Sequence, residues 1–176
     1  MKKMLCLLLA LCLLPLFAVA DTETTVAALT ADDMAFIFEG VSYYLGDDPA
    51  ALLAAIEAKY GAAMDKYEYE SSYYDGINKE YSNDDLVIDT CPSGENGADA
   101  VETIMVLTDA ITTARGACVG MTLDEVAELY GDNNYTLDVD QMICSLEGTD
   151  EELIFSIDLE TDEVVCWLLL KNTGVD

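Results

Sequence analysis

The pattern of apolar and polar positions predicts two helices, each followed by a series of short strands. The first helix begins at Asp48-Pro49, since Asp caps helices and Pro suits the first helical position. It ends before Gly61, a residue type that commonly terminates helices. Between these points the apolar side chains recur at helical spacing and form one stripe, made of Leu52, Leu53, Ile56 and Tyr60.

The second predicted helix lies within Thr112–Gly131, around which the chain is organised. Thr122 and Glu125 have the spacing of a capping box, which places a short helix at Leu123–Tyr130. Its apolar stripe comprises Leu123, Val126, Ala127 and Tyr130. The Tyr-Gly pair that ends this helix also ends the first one, so the chain is interpreted as two copies of one unit.

Strands are expected to follow each helix. Tyr67, Tyr69 and Tyr73 alternate with polar residues over positions 66–74, which is the period of a half-buried strand. Other apolar segments predict a short strand ending at Gly40 and strands at 79–81, 86–90, 101–107, 134–138, 141–146, 152–158 and 163–170. The turns between them are short, which implies antiparallel pairing. The predicted fold class is therefore α+β: two tandem helix-plus-antiparallel-sheet repeats, with the helices packed on one face, forming one curved sheet.

The last two strands can be placed in register from the turn around Glu160-Thr161. A loop of two or four residues sets Phe155 opposite Cys166 and Ile154 opposite Trp167, whereas a three-residue loop would exchange the two faces. The helix-covered face then carries Leu153, Phe155, Ile157, Cys166, Leu168 and Leu170, and the open face carries Ile154, Ser156, Val165, Trp167 and Leu169.

An open sheet face is normally polar, and this one is apolar and aromatic. Apolar exposed patches mark partner surfaces. The candidate binding residues are Trp167, Ile154, Val165, Leu169, Tyr67, Tyr69 and Tyr73. Two other interpretations stay open: the other repeat or the N-terminal segment covers this face, or Trp167 belongs to the core.

Residues 1–20 have the features of a secretory signal peptide. Lys2 and Lys3 precede an apolar run, and Ala18-Val19-Ala20 is a small-residue cleavage site. We therefore expect a secreted or extracytoplasmic protein, cleaved after Ala20 and not inserted in a membrane. The predicted organisation is a signal peptide at 1–20, a flexible lead-in at 21–33, a first repeat at 34–110, a second repeat at 111–172 and a tail at 173–176.

Charge excludes several classes of partner and of chemistry. After cleavage, five basic residues would face 35 acids, a net charge of −30, which disfavours nucleic acid and anionic membranes. The chain has no histidine, so Ser-His-Asp and Cys-His catalysis are excluded. We expect no enzyme activity, no catalytic residue, no metal site and no cofactor. Arg115 is expected to pair with an acid at the junction between the repeats.

The exported part contains four cysteines, an even number that permits two disulfides. A bond between Cys91 and Cys118 stays open. Cys144 and Cys166 are predicted to share a face two strands apart, at roughly 10 Å, which is too far for a disulfide.

Both units resemble the repeats of the β-lactamase inhibitor protein family, and their glycine-turn-helix pattern is similar to that of the small outer-membrane assembly lipoproteins. The matching residues are Thr113-Ala114-Arg115-Gly116, Val119-Gly120-Met121-Thr122, Glu125-Val126 and Tyr130-Gly131, and in the first unit Gly40-Val41, Gly46-Asp47-Asp48 and Tyr60-Gly61. The resemblance implies two α/β repeats side by side, with a concave sheet that grips a protein partner.

The leading hypothesis is a secreted, non-catalytic binding module that recognises a protein, or a cell-wall component, through its open sheet face. A second hypothesis is a structural or assembly component of the cell envelope. A third is an inhibitor of a β-lactamase-type enzyme, which the first resemblance implies.

Overall fold

The computed structural model describes residues 26–171, so the predicted signal peptide and tail lie outside the described residues. Within that range the chain is mostly β. The helices are α1 (Ala50–Tyr60) and α2 (Leu123–Tyr130), with short 3-10 turns at Ala31–Met34 and Glu95–Gly97. The strands are β1 (Phe36–Phe38), β2 (Val41–Tyr43), β3 (Asp65–Glu70), β4 (Ile77–Ser82), β5 (Leu86–Cys91), β6 (Ala100–Val106), β7 (Thr136–Asp138), β8 (Gln141–Ser145), β9 (Glu151–Asp158) and β10 (Glu163–Lys171).

The strands form two antiparallel sheets. Strands β1 and β2 make a separate hairpin, and the other eight form one sheet in the order β3-β4-β5-β6-β10-β9-β8-β7. The pairing of β6 with β10 joins the two predicted repeats, since Val106 lies opposite Trp167 and Ile104 opposite Leu169. In the described part of the chain, neither helix is long and apolar enough to cross a membrane.

The predicted fold class, two helix-plus-sheet repeats with helices packed on one face, is wrong. Ten strands in two antiparallel sheets dominate, and the two helices are only 11 and 8 residues long. One cause lies at Glu39-Gly40, which adopts positive φ angles of 49° and 78° and so reverses the chain into a hairpin instead of ending a single strand. The helices bury few side chains because they are short, so the strands supply most of the core.

The local helix signals are confirmed. The Thr122 hydroxyl accepts a hydrogen bond from the Glu125 amide at 3.3 Å, and the Glu125 carboxylate accepts one from the Thr122 amide at 2.9 Å. Helix α1 ends at Gly61 in the left-handed conformation. The Asp48 carboxylate accepts a hydrogen bond from the Ala50 amide at 2.9 Å, so Asp48 caps the start of α1.

The core is built around one face of the eight-stranded sheet. Phe36 of the β1–β2 hairpin lies 6.2 Å from Trp167, and Tyr130 of α2 lies edge-on to Phe155 at 5.4 Å, both measured between ring centroids. The Trp167 indole N–H donates to the Ile111 carbonyl oxygen at 3.4 Å. Trp167 therefore satisfies its polar group while fully buried.

Arg115 attaches the N-terminal part of the described chain to the rest of the fold. Its guanidinium binds both oxygens of Asp33, at 2.7 and 3.0 Å, and donates to the carbonyl oxygens of Ala27 and Ala28. The sequence predicted an acid partner for Arg115 at the junction between the repeats; the partner is instead Asp33, within the predicted lead-in at 21–33. Nearby, a Cβ added to Gly131 would meet the Val26 side chain at 2.7 Å, so this close approach requires glycine.

Candidate binding face of the eight-stranded sheet

The two faces of the sheet can be followed across the strands because paired residues share a face. One face, here called the covered face, is fully buried along two rows, which comprise Leu86, Val106, Trp167, Phe155 and Met142, and Ile88, Ile104, Leu169, Leu153 and Cys144. The opposite face, here called the outer face, carries a row that crosses all eight strands, made of Asp65, Ser82, Val87, Met105, Leu168, Ile154, Ile143 and Thr136.

The outer face is apolar in its middle and polar at its ends. Ile154 is 7% exposed, and its neighbours Val87, Met105, Leu168 and Ile143 are half-buried. The adjacent row is more polar and ends at a tyrosine: it runs through Tyr67, Glu80, Asp89, Thr103, Leu170, Glu152 and Ser145. A partner on this face would meet a shallow apolar strip with acids beside it.

The structure separates the seven sequence-predicted binding residues. Trp167 and Leu169 are buried on the covered face, so neither can contact a partner directly. Ile154 lies on the outer face but is nearly buried. Val165 is half exposed, at 49%. Tyr73 and Tyr67 are the most accessible, at 66% and 64%, and Tyr69 is 39% exposed.

A β-bulge in β10 explains why the predicted faces of that strand are reversed. The four-residue turn sets Glu163 opposite Asp158 and Val164 opposite Ile157, but the register then shifts by one between Val164 and Cys166. Val165 is therefore an extra residue, and beyond it each side chain of β10 lies on the face opposite to the one predicted. The corrected outer face carries Cys166, Leu168 and Leu170, and the covered face carries Trp167 and Leu169.

The tyrosine hairpin, formed by β3 and β4, contains a strand that is exposed along its whole length. All six residues of β3 are exposed, so the prediction of a half-buried strand at 66–74 is wrong. The strand lies at the sheet edge, where no neighbour covers it. Tyr67 and Tyr69 stack on each other, with centroids 5.9 Å apart and rings inclined by 24°. Tyr73 lies in the connection to β4.

Asp89 is a functional candidate that the sequence reasoning missed. It lies on the outer face opposite Glu80 of β4. Burial raises the pKa of this carboxyl to about 6, and the negative charges of Glu80 and Glu102 add to the effect. Groups with strongly raised pKa values are candidates for functional sites. The signal available in the sequence was one acid inside the apolar strand Leu86–Cys91.

A small polar cluster lies next to Asp89. Asn78 is 8% exposed, and its side-chain oxygen has no hydrogen-bond partner in the described structure. Cys91 follows in the same region, and its thiol donates to the Ser93 hydroxyl at 3.1 Å. Burial raises the pKa of the Cys91 thiol, so the group stays protonated and is a poor nucleophile.

Between residues 26 and 171 no group of three or more Cys, Asp or Glu side chains could hold a metal ion. Cys91, Cys118, Cys144 and Cys166 are free thiols. Cys144 lies on the covered face and Cys166 on the outer face, because the bulge reverses the predicted placement of Cys166. The outer face thus combines exposed tyrosines with neighbouring acids.

Comparisons with known proteins do not identify a family. No family model matches the chain, and no curated protein matches it. Among solved structures, the chain is similar to the uncharacterized protein yfeY from Escherichia coli, with 15% identity, a TM-score of 0.42 and coverage of 84% of this chain and 99% of that one. It is also similar to a cysteine-rich secretory protein from Staphylococcus aureus, with 15% identity, a TM-score of 0.42 and coverage of 84% of this chain and 50% of that one.

Proposed function

We propose that this protein is a non-catalytic binding module that recognises a protein partner outside the cytoplasm through the outer face of its eight-stranded sheet. Tyr67 and Tyr69 are the anchors, and the acids beside them steer and orient the partner. The proposal keeps the tyrosines of the sequence prediction and drops Trp167 and Leu169, which are buried. The export signal at residues 1–20 supports the location.

One observation carries the proposal: two stacked tyrosines lie exposed on a strand with no covering element among the described residues. Stacking holds each ring in place, so little conformational entropy is lost when a partner packs on it. Tyrosine is among the residues that contribute most to binding energy at protein interfaces.

The acids of the outer face support a cationic partner. Glu80 and Asp89 lie in the same row as Tyr67, and the whole chain has a net charge of −28. A negative field of this size accelerates association with a basic protein and repels acidic ones. Binding should therefore weaken as salt is added.

The test is recovery of partners from the native culture medium or envelope, compared between the wild type and Tyr67→Ala and Tyr69→Ala variants. Truncating an anchor should lower the affinity for a recovered protein by at least about tenfold. Tyr44→Ala is the matched control, because Tyr44 is exposed to a similar degree as Tyr69 but lies outside the sheet. Equal binding by all four proteins would exclude the outer face as the binding surface, and retention on purified cell wall alone would exclude a protein partner.

A further inference from the structure

The two edges of the eight-stranded sheet differ in how much backbone they offer. At one edge, β7 has three residues. At the other edge, β3 has six residues, all exposed, in unbroken register with β4 from Asp65 opposite Ser82 to Glu70 opposite Ile77. Exposed edge strands pair readily with other chains unless a bulge, a proline, charged side chains or a covering element prevents it. The four charged side chains of β3 act against pairing with a strand of like charge. Strand β3 has no proline and no register shift, and no described element covers it.

The hydrogen bonds show which peptide groups of β3 face outward. The Ser71 amide donates to the Gly76 carbonyl oxygen at 3.1 Å, in the register of the β3–β4 pair. In an antiparallel pair every second residue of a strand forms backbone hydrogen bonds to the neighbouring strand. Since Ser71 does so, the backbone N–H and C=O groups of the odd-numbered residues of β3 face β4. The peptide groups of Lys66, Glu68 and Glu70 therefore point away from the sheet.

The two faces of β3 carry different side chains: Asp65 and the two tyrosines on the outer face, and three charged residues on the other. Tyr67 and Tyr69 share the outer face, because they lie opposite Glu80 and Asn78. Lys66, Glu68 and Glu70, whose backbone N–H and C=O groups point away from β4, have their side chains on the opposite face. There Lys66 forms an ion pair with Glu68. An added strand would thus meet rings on one face and a net negative charge on the other.

Charge disfavours a second copy of this chain as the added strand. Strand β3 contains three acids and one lysine, and each chain has a net charge of −28. Like charges on neighbouring strands are destabilising, whereas opposite charges stabilise the pair. A strand with basic residues opposite Glu68 and Glu70 and apolar residues opposite the tyrosines complements both faces.

We infer that β3 is a strand-addition site, which takes an extended segment of alternating basic and apolar residues from a partner protein as a ninth strand of the sheet. The inference rests on the proposed function and specifies the partner's chemistry. Backbone hydrogen bonds to Lys66, Glu68 and Glu70 would hold the segment, and the side chains on its two faces would select its sequence.

The test uses a seven-residue peptide of alternating valine and lysine, blocked at both ends, with glutamate in place of lysine as the control peptide. The lysine peptide should bind the protein and slow hydrogen exchange at the amides of Lys66, Glu68 and Glu70, while the glutamate peptide should not bind. Glu68→Pro removes one outward amide and leaves the bonds to β4 in place. Its matched control is Glu68→Ala, which loses the same charge but keeps the amide.

Glu68→Pro should bind the lysine peptide about tenfold more weakly than Glu68→Ala does. Equal affinity of the two variants, or exchange protection elsewhere in the sheet, would overturn the inference. The inference would also be overturned if the wild-type protein forms a dimer and Glu68→Pro abolishes that dimer, because the edge would then bind a second copy of the chain. If a native partner depends on Tyr67 and Tyr69 but binds Glu68→Pro and Glu68→Ala equally, strand addition fails and the proposed function stands. If binding is indifferent to both tyrosines, the proposed function itself fails.

Discussion

The covered and outer faces of the eight-stranded sheet contain similar residue types in different surroundings. On the covered face, Trp167 and Phe155 lie opposite each other and are fully buried. On the outer face, Tyr67 and Tyr69 stack on a strand that has a neighbour on one side only, and both remain exposed. Aromatic content alone therefore does not indicate which face is accessible. The position of a strand within the sheet, and what packs over it, decides whether its rings stabilise the fold or stay accessible.

The largest expected difference between the faces concerns stability. Trp167→Ala should lower the free energy of unfolding by about 4 kcal/mol, because it removes a large buried ring and leaves a cavity beside Phe36. Urea denaturation followed by circular dichroism measures this, since the chain has no other tryptophan for fluorescence. Val165 is the extra residue of the bulge, two positions before Trp167, and is half exposed. Val165→Ala should therefore change the free energy of unfolding by less than about 1 kcal/mol. Similar losses for the two variants would contradict the assignment of faces.

An effect of opposite sign is expected on the outer face at Asp89. Because burial raises the pKa of this carboxyl from its ordinary value of 3.8 to about 6, the folded state binds an extra proton between these values. Stability should therefore fall as pH rises through that interval. Asp89→Asn removes the ionisation, and it should raise the free energy of unfolding at pH 7 by about 1 kcal/mol after solvent screening.

The measurement for Asp89 is the difference in unfolding free energy between wild type and Asp89→Asn at several pH values from 4 to 7.5. The difference should grow with pH and level off above about 7. Asp138→Asn, on the exposed strand β7, is the control because it also removes one carboxylate, and it should change the free energy of unfolding at pH 7 by less than about 0.5 kcal/mol. A variant less stable than the wild type at pH 7 would mean that the carboxylate has a favourable partner there.

The smallest effect is expected at the tyrosines. Tyr67→Ala should change the free energy of unfolding by no more than about 0.5 kcal/mol, because the ring is mostly exposed and packs mainly on Tyr69. The midpoint of thermal unfolding should stay within a few degrees of the wild type. A loss comparable with that of Trp167→Ala would place Tyr67 in the core and remove it as a binding residue.

The sequence predicted local structure well where a side chain signals directly to the backbone. The capping box at Thr122 and the stop at Gly61 identified the helix ends, and the strands of the second half were located within two residues. These signals depend on neighbours a few positions away, so they survive whatever the tertiary arrangement is.

The faces could not be predicted in the same way, because they depend on long-range pairing. The four-residue turn after Asp158 was among the loops considered, yet the single extra residue Val165 reverses every later position of β10. The pattern of valines and leucines there is apolar on both sides of the strand, so nothing in it identifies the bulge. Likewise, the alternating tyrosines of β3 match a half-buried strand, and only the sheet order reveals that they lie at an edge.

The attachment of the N-terminal segment by Arg115 constrains how the sequence can diverge. The guanidinium binds the carbonyl oxygens of Ala27 and Ala28, groups that every amino acid possesses, together with the Asp33 carboxylate. Substitutions at the two alanines therefore leave these contacts available. An insertion or deletion between Ala28 and Asp33 would instead move the carbonyl groups relative to the carboxylate. Related chains should thus vary freely in the composition of this segment while keeping its length.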